Sequence, residues 1–303
     1  MPEIHKKKFK LSRLLLVISL AVVSFSLVIK YFLQDTNIAL FNPKGLIAQE
    51  QYNLMIFTIV VLFAIVVPTL FVAYFIAWKY RDTNTKNKHH TTGNRSKFAV
   101  MGMWLIPTAV ILVLASAMLP ATQRLAPQET ISANAKPLTI QVVAMRWKWL
   151  FIYPEQGIAT VNFVQVPVNT PVTFELTADE TPMSSFWIPN LGGQLYAMTG
   201  HVNSLNLMAE TPGDYPGSTP EINGRGFAGM KFTARASSLE DFDQWVKVVQ
   251  QSPDTLDTKA YEKLVRPSEK NPIAFFSTHQ NNLYYNVVMK YAGPEEEHGG
   301  DHH

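Results

Sequence analysis

Two stretches of this chain carry no charged residue for longer than a soluble fold tolerates: residues 51–78 and residues 98–123. An α-helix rises about 1.5 Å per residue, so about 20 apolar residues cross the roughly 30 Å hydrocarbon layer of a bilayer. Both stretches pass that test and are expected to span a membrane. A shorter apolar run, residues 14–29, follows a basic start and admits two readings, a retained helix or a secretory signal. No small-x-small cleavage pattern follows it, which favours the retained helix.

Orientation follows from lysine and arginine in the short loops. Residues 1–97 hold 13 Lys and Arg against 4 Asp and Glu, whereas residues 98–303 hold 13 against 19. The basic residues flank apolar runs, so a bilayer explains them better than nucleic acid does. Lys6, Lys7, Lys8, Lys10 and Arg13 precede the first run, and Lys79, Arg81, Lys86, Lys88, Arg95 and Lys97 lie between the two long ones. These segments are expected in the cytoplasm, with everything after about residue 120 outside. Trp78, Tyr80 and Trp104 suit the interface, and Pro68 and Pro107 are tolerated within membrane helices.

After residue 136 the period changes. Short segments rich in β-branched and aromatic residues alternate with Pro, Gly, Asn and Asp, the pattern of an all-β sandwich or barrel. From Ser237 it turns helical: Ser237 or Ser238 offers an N-cap, acids fill the first turn, and Phe242, Trp245, Val246 and Val249 share a face. A second short helix is expected over residues 257–265, then a polar tail. The expected organisation is residues 1–34 as a signal-like or transmembrane helix, 35–124 as a transmembrane hairpin, 125–236 as a β domain, and 237–303 as a helical extension with its tail.

Cysteine is absent from the sequence, which removes disulfides, thiolate nucleophiles, zinc–thiolate sites and iron–sulfur clusters. Of the eight histidines, only His201 and His279 fall in the outer domain. Glu155, Asp179 and Glu180 have no spacing that suggests an acid–base pair, and no phosphate loop or nucleophile elbow appears.

From RWKW (146–149) through SFWIP (185–189) to TPEINGRGFAGM (219–230), together with FNPKG (41–45) upstream and FDQWV (242–246) downstream, the chain resembles subunit 2 of haem–copper terminal oxidases, in the cytochrome o type ubiquinol oxidase branch. The resemblance implies two or three N-terminal transmembrane helices followed by a cupredoxin-like β-sandwich with short C-terminal helices. It implies a non-catalytic subunit of a proton-pumping ubiquinol oxidase in the respiratory chain of a bacterial inner membrane. Its partners would be the catalytic subunit 1, which holds haem and copper, and accessory membrane subunits; ubiquinol would be the substrate of the complex. The alternatives are a cytochrome c oxidase subunit 2, or a metal-free envelope binding module tethered to the membrane.

The cytochrome c-oxidising branch of that family carries a dinuclear copper centre in this domain. Its ligand positions fall here on Ser184, Thr219, Asn223, Phe227 and Met230, with Glu221 also matching the motif. Two bridging thiolates and two imidazoles would be needed, and of these residues only Met230 keeps a ligand type. No cofactor is therefore expected in this chain. Trp147 and Trp149 are expected on one face of a strand, as a possible contact with subunit 1 or as domain core. Two departures from the family pattern stand out: Thr36 occupies the place of a lipoprotein cysteine, and Val100 that of a glutamate near the last membrane helix.

Overall fold

The computed structural model describes residues 38–81, 97–129, 131, 135–181, 183–278 and 282–292. The apolar run at 14–29, Thr36, the basic loop, His279 and the tail lie outside the described residues. Both long apolar stretches are helices: α1, Leu46–Lys79, and α2, Lys97–Arg124. Neither buries its hydrophobic span in protein, as expected of helices whose solvent is lipid. Pro68 lies inside α1, and Pro107 and Pro120 inside α2.

The first turns of α1 are held by the outer domain. Lys44 N–H donates to Asn190 O at 2.8 Å, Leu46 N–H to Met208 O at 3.2 Å, and Ala48 N–H to Leu191 O at 3.1 Å. Free N–H groups at a helix start need such acceptors. The approach also explains Gly45 of FNPKG: a Cβ there would lie 2.6 Å from Met208 O and 2.9 Å from Leu191 O.

The outer domain is a β-sandwich. Its strands are β1 Leu138–Met145, β2 Lys148–Tyr153, β3 Ile158–Val161, β4 Phe163–Pro167, β5 Val172–Ala178, β6 Met183–Phe186, β7 Leu195–Met198, β8 Asn203–Leu207, β9 Gly213–Ser218, β10 Lys231–Ser237 and β11 Ala274–Ser277. One sheet has the order β11-β3-β2-β1-β5-β8 and a second the order β4-β10-β9, with β6 and β7 forming a hairpin. The pairs β1/β5 and β4/β10 are parallel; the others are antiparallel.

Aromatic side chains fill the space between the sheets. Trp149, Phe151, Phe174, Phe186 and Phe232 are all buried. Phe186 stacks on Phe232 at 5.0 Å between ring centroids, and Trp149 meets Phe186 edge-on at 5.3 Å. Such pairs add about 0.5–1.5 kcal/mol beyond their buried area. Phe232 lies directly across from Gly217, where any Cβ would collide with its ring.

The chain after residue 237 is woven into this domain. Helix α3, Leu239–Gln250, begins at Ser238, whose hydroxyl accepts from Asp241 N–H, and buries Phe242, Val246 and Val249 in the main core. Helices α4, Thr258–Val265, and α5, Leu283–Met289, cover the outer face of the six-stranded sheet. There Tyr261, Val265, Leu283, Tyr284 and Val287 pack on Val143, Met145, Leu150 and Ile152. Strand β11 between those helices pairs with β3. This strand was not anticipated: AFFS is too short to show a period of two. Strand β2 is consequently buried on both faces.

Candidate functional site

The positions matching the family's copper ligands decide what the domain can hold. Ser184 is on β6; Thr219 to Met230 follow β9. The two segments are tied by a bridge between Trp187 and Ser218, with Ser218 N–H donating to Trp187 O at 3.0 Å. That places Ser184, Asn223 and Met230 in contact. The Asn223 amide donates to Ser184 Oγ at 2.8 Å and to Met230 Sδ at 3.2 Å. Ser184 and Met230 are essentially inaccessible and Thr219 is buried, while Glu221 and Phe227 are partly exposed.

This cluster does not fit a dinuclear copper centre. It offers hydroxyls, an amide, a carboxylate and one thioether whose sulfur already accepts an N–H. The thiolates and imidazoles that bind copper tightly have no counterpart among these side chains. Among the described residues no three His, Asp or Glu side chains converge elsewhere either. The cluster is polar and incompletely paired: Thr219 Oγ1, Glu221 Oε2, Asn223 Oδ1 and Trp147 Nε1 are buried without a partner among the described residues. Groups of this kind ordinarily bind ordered water.

Trp147 is a correction to the strand reading. It sits in the turn between β1 and β2 with φ +67, so it does not share a strand face with Trp149. Its indole lies flat on Gly226, where a Cβ would be 2.4 Å from the ring, and Arg225 stands 6.0 Å from the ring centroid. Arg225 in turn pairs with Glu269 at 2.8 Å. Trp149 is wholly enclosed by its own domain, so it has no surface to offer subunit 1. Only Trp147, half-buried, keeps that possibility.

Two charged groups, Lys148 and Asp179, are buried in a way the sequence did not show, and both serve the C-terminal segment. Lys148 is 1% exposed. Its ammonium donates to Leu264 O at 2.6 Å, Arg266 O at 2.9 Å and Ser268 Oγ at 2.5 Å. It thus satisfies the carbonyls at the end of α4, where the helix dipole favours a cation. Burial pulls its pKa below the usual lysine value. Asp179, 0% exposed, accepts from Tyr261 at 2.6 Å, Tyr291 at 2.7 Å and Lys290 at 2.9 Å. Burial, then the hydrogen bond to Asp179, raises the Tyr261 pKa strongly. Burial alone would lower Lys290; its bonds to Asp179 and Tyr291 outweigh that and raise it.

Of the other candidates, His201 is exposed, and Glu155 forms a surface ion pair with Lys136 at 2.9 Å. Val100, in α2, is exposed and supplies no carboxylate.

Residues 155–237 match the family model for the periplasmic domain of cytochrome c oxidase subunit II, and residues 250–295 match the COX aromatic rich motif. The chain is 42% identical to the cytochrome bo(3) ubiquinol oxidase subunit 2 of Pseudomonas putida, over 86% of this chain and 83% of that protein. It is 40% identical to the ubiquinol oxidase subunit 2 of Acetobacter aceti, over 82% and 81% respectively. The quinol oxidase subunit 2 of Bacillus cereus is 32% identical over 81% of this chain and 84% of its own length.

Proposed function

Because the chain belongs to the ubiquinol oxidase subunit 2 family, we propose that it serves a proton-pumping quinol:oxygen oxidoreductase as a structural subunit, without taking part in electron transfer. The observation that carries this reading is the side-chain set Ser184, Thr219, Asn223, Phe227. It replaces the soft ligands that an electron-accepting copper centre requires. Electrons for the complex then come from a lipophilic quinol reaching subunit 1 through the bilayer. This chain contributes a membrane anchor and a rigid outer domain that support assembly with subunit 1 and accessory membrane subunits in the bacterial inner membrane.

The experiment is to purify the complex with this chain intact and compare oxygen consumption driven by ubiquinol and by reduced cytochrome c. Rapid ubiquinol oxidation with negligible cytochrome c oxidation is expected. Brisk cytochrome c oxidation overturns the assignment, and a chain that purifies without any haem protein favours the tethered binding module.

A further inference from the structure

The charged ends of the two membrane helices meet in a cleft at the outer face of the bilayer. Its volume is about 570 Å³, and its walls include Leu46, Ile47 and Glu50 of α1, Gln123 and Arg124 of α2, and Glu129 of the connector. Glu50 is the last charge before the apolar span of α1, and Arg124 the first after that of α2. The cleft therefore lies where hydrocarbon gives way to headgroups.

Both walls are fixed by one strand and its extension. Asn206 on β8 holds the connector, donating from its backbone to Pro127 O at 3.0 Å and from its side chain to Glu129 O at 3.1 Å. Two residues further on, Met208 O accepts from Leu46 N–H at the start of α1. The cleft is thus preformed. Among the described residues, Glu50, Arg124 and Glu129 form no ion pair with one another or with any other side chain.

We propose that this cleft binds one phospholipid whose headgroup carries both a phosphate and a primary ammonium, as phosphatidylethanolamine does. Arg124 presents a planar fork of donors suited to phosphate oxygens. Glu50 and Glu129 supply carboxylates for an ammonium a few ångströms away along the headgroup. Leu46 and Ile47 line the cleft on its outer-domain side, and the acyl chains run the other way, along the lipid-facing sides of α1 and α2 beyond Glu50. An anionic headgroup without an amine leaves the two carboxylates facing a phosphate, and a trimethylammonium has no N–H to donate. A quinol headgroup is uncharged and offers these side chains hydrogen bonds without ion pairing. The site is independent of the quinol oxidase reading, because it requires only the membrane anchor.

The full-length chain is placed in nanodiscs of equal parts phosphatidylethanolamine, phosphatidylglycerol and phosphatidylcholine, extracted gently, and its retained lipid identified by mass spectrometry. Wild type is expected to retain phosphatidylethanolamine about tenfold over either phosphatidylglycerol or phosphatidylcholine, a preference of roughly 1.4 kcal/mol. Arg124→Gln brings retention to the bulk proportion, whereas Arg124→Lys keeps at least half of it. Glu50→Gln with Glu129→Gln removes the preference over phosphatidylglycerol. All three side chains are exposed and make no side-chain bond among the described residues, so the variants fold; an unchanged protease digestion pattern checks this. Lipid retained in bulk proportions by wild type, a preference for phosphatidylglycerol or phosphatidylcholine, or displacement by stoichiometric ubiquinol each overturns the proposal. So does retention that all the variants leave unchanged.

Discussion

The Tyr261 hydroxyl donates to the Asp179 carboxylate at 2.6 Å, joining a helix near the C-terminus to the end of a strand 82 residues earlier. The carboxylate is fully enclosed, so its donors hold a charge that water no longer solvates. Tyr261→Phe is expected to destabilise the outer domain by about 1.5–3 kcal/mol, the range for a hydrogen bond to a charged group. Lys290→Met removes a partner whose own side chain is 45% exposed, so its effect is smaller, at most about 1 kcal/mol. Denaturant unfolding of the two variants checks the order; equal losses contradict it.

Alkaline pH is expected to unfold the domain through its tyrosines. Burial raises Tyr153, Tyr261 and Tyr284 well above the ordinary value of 10.0. Below that value both folded and unfolded states keep the phenol protonated, and stability is intact. Above it the unfolded state loses protons that the folded state retains, so stability falls as pH rises. Lys148 acts in the opposite direction: its lowered pKa means that stability gains between its folded value and the ordinary 10.5. Lys148→Met therefore removes the rise in stability that precedes the alkaline loss. Tyrosinate absorbance followed during a pH titration checks that Tyr153, Tyr261 and Tyr284 ionise together with unfolding.

The two tryptophans of RWKW are expected to separate cleanly. Trp149→Ala opens a cavity in the aromatic core and costs about 3–5 kcal/mol. Trp147→Phe leaves the fold in place and quinol turnover per haem within about threefold, less than roughly 0.7 kcal/mol of barrier. A hundredfold loss in an assembled, stable Trp147→Phe complex would place this indole on the electron path.

Copper added to the chain lacking residues 293–303, then dialysed, is expected to leave no stoichiometric metal and no intense visible absorption. Retention of either would mean that the Ser184, Asn223 and Met230 cluster binds copper despite its donors.

Topology is tested by fusions of a reporter active only in the cytoplasm. Activity is expected at about residue 90 and not at about residue 295, from the lysine and arginine bias. The reverse result inverts the orientation, and activity at both sites means that α2 does not cross.

The membrane helices, the sandwich class and α3 with its Ser238 cap were legible because each rests on a local signal: an uncharged run, a change of period, an N-cap beside an amphipathic face. The loss of copper ligands was legible from residue identity alone. What escaped was set by contacts distant in sequence. Trp147 reads as part of an alternating strand, and only its partners Gly224 and Gly226, some 80 residues on, reveal a turn. Lys148 reads as a surface lysine because its acceptors belong to a helix more than 110 residues later. β11 has four residues and acquires its identity from β3.

That late strand has a consequence for biogenesis. Residues 274–277 close one edge of a sheet whose other strands lie before residue 208. Until they have been translated and moved across the membrane, β3 presents unpaired backbone groups outward, and unpaired edges invite pairing with other chains. Export of this domain therefore runs ahead of its completion: the sheet stays open through the passage of roughly a quarter of the chain, and shielding during that interval matters more than after it.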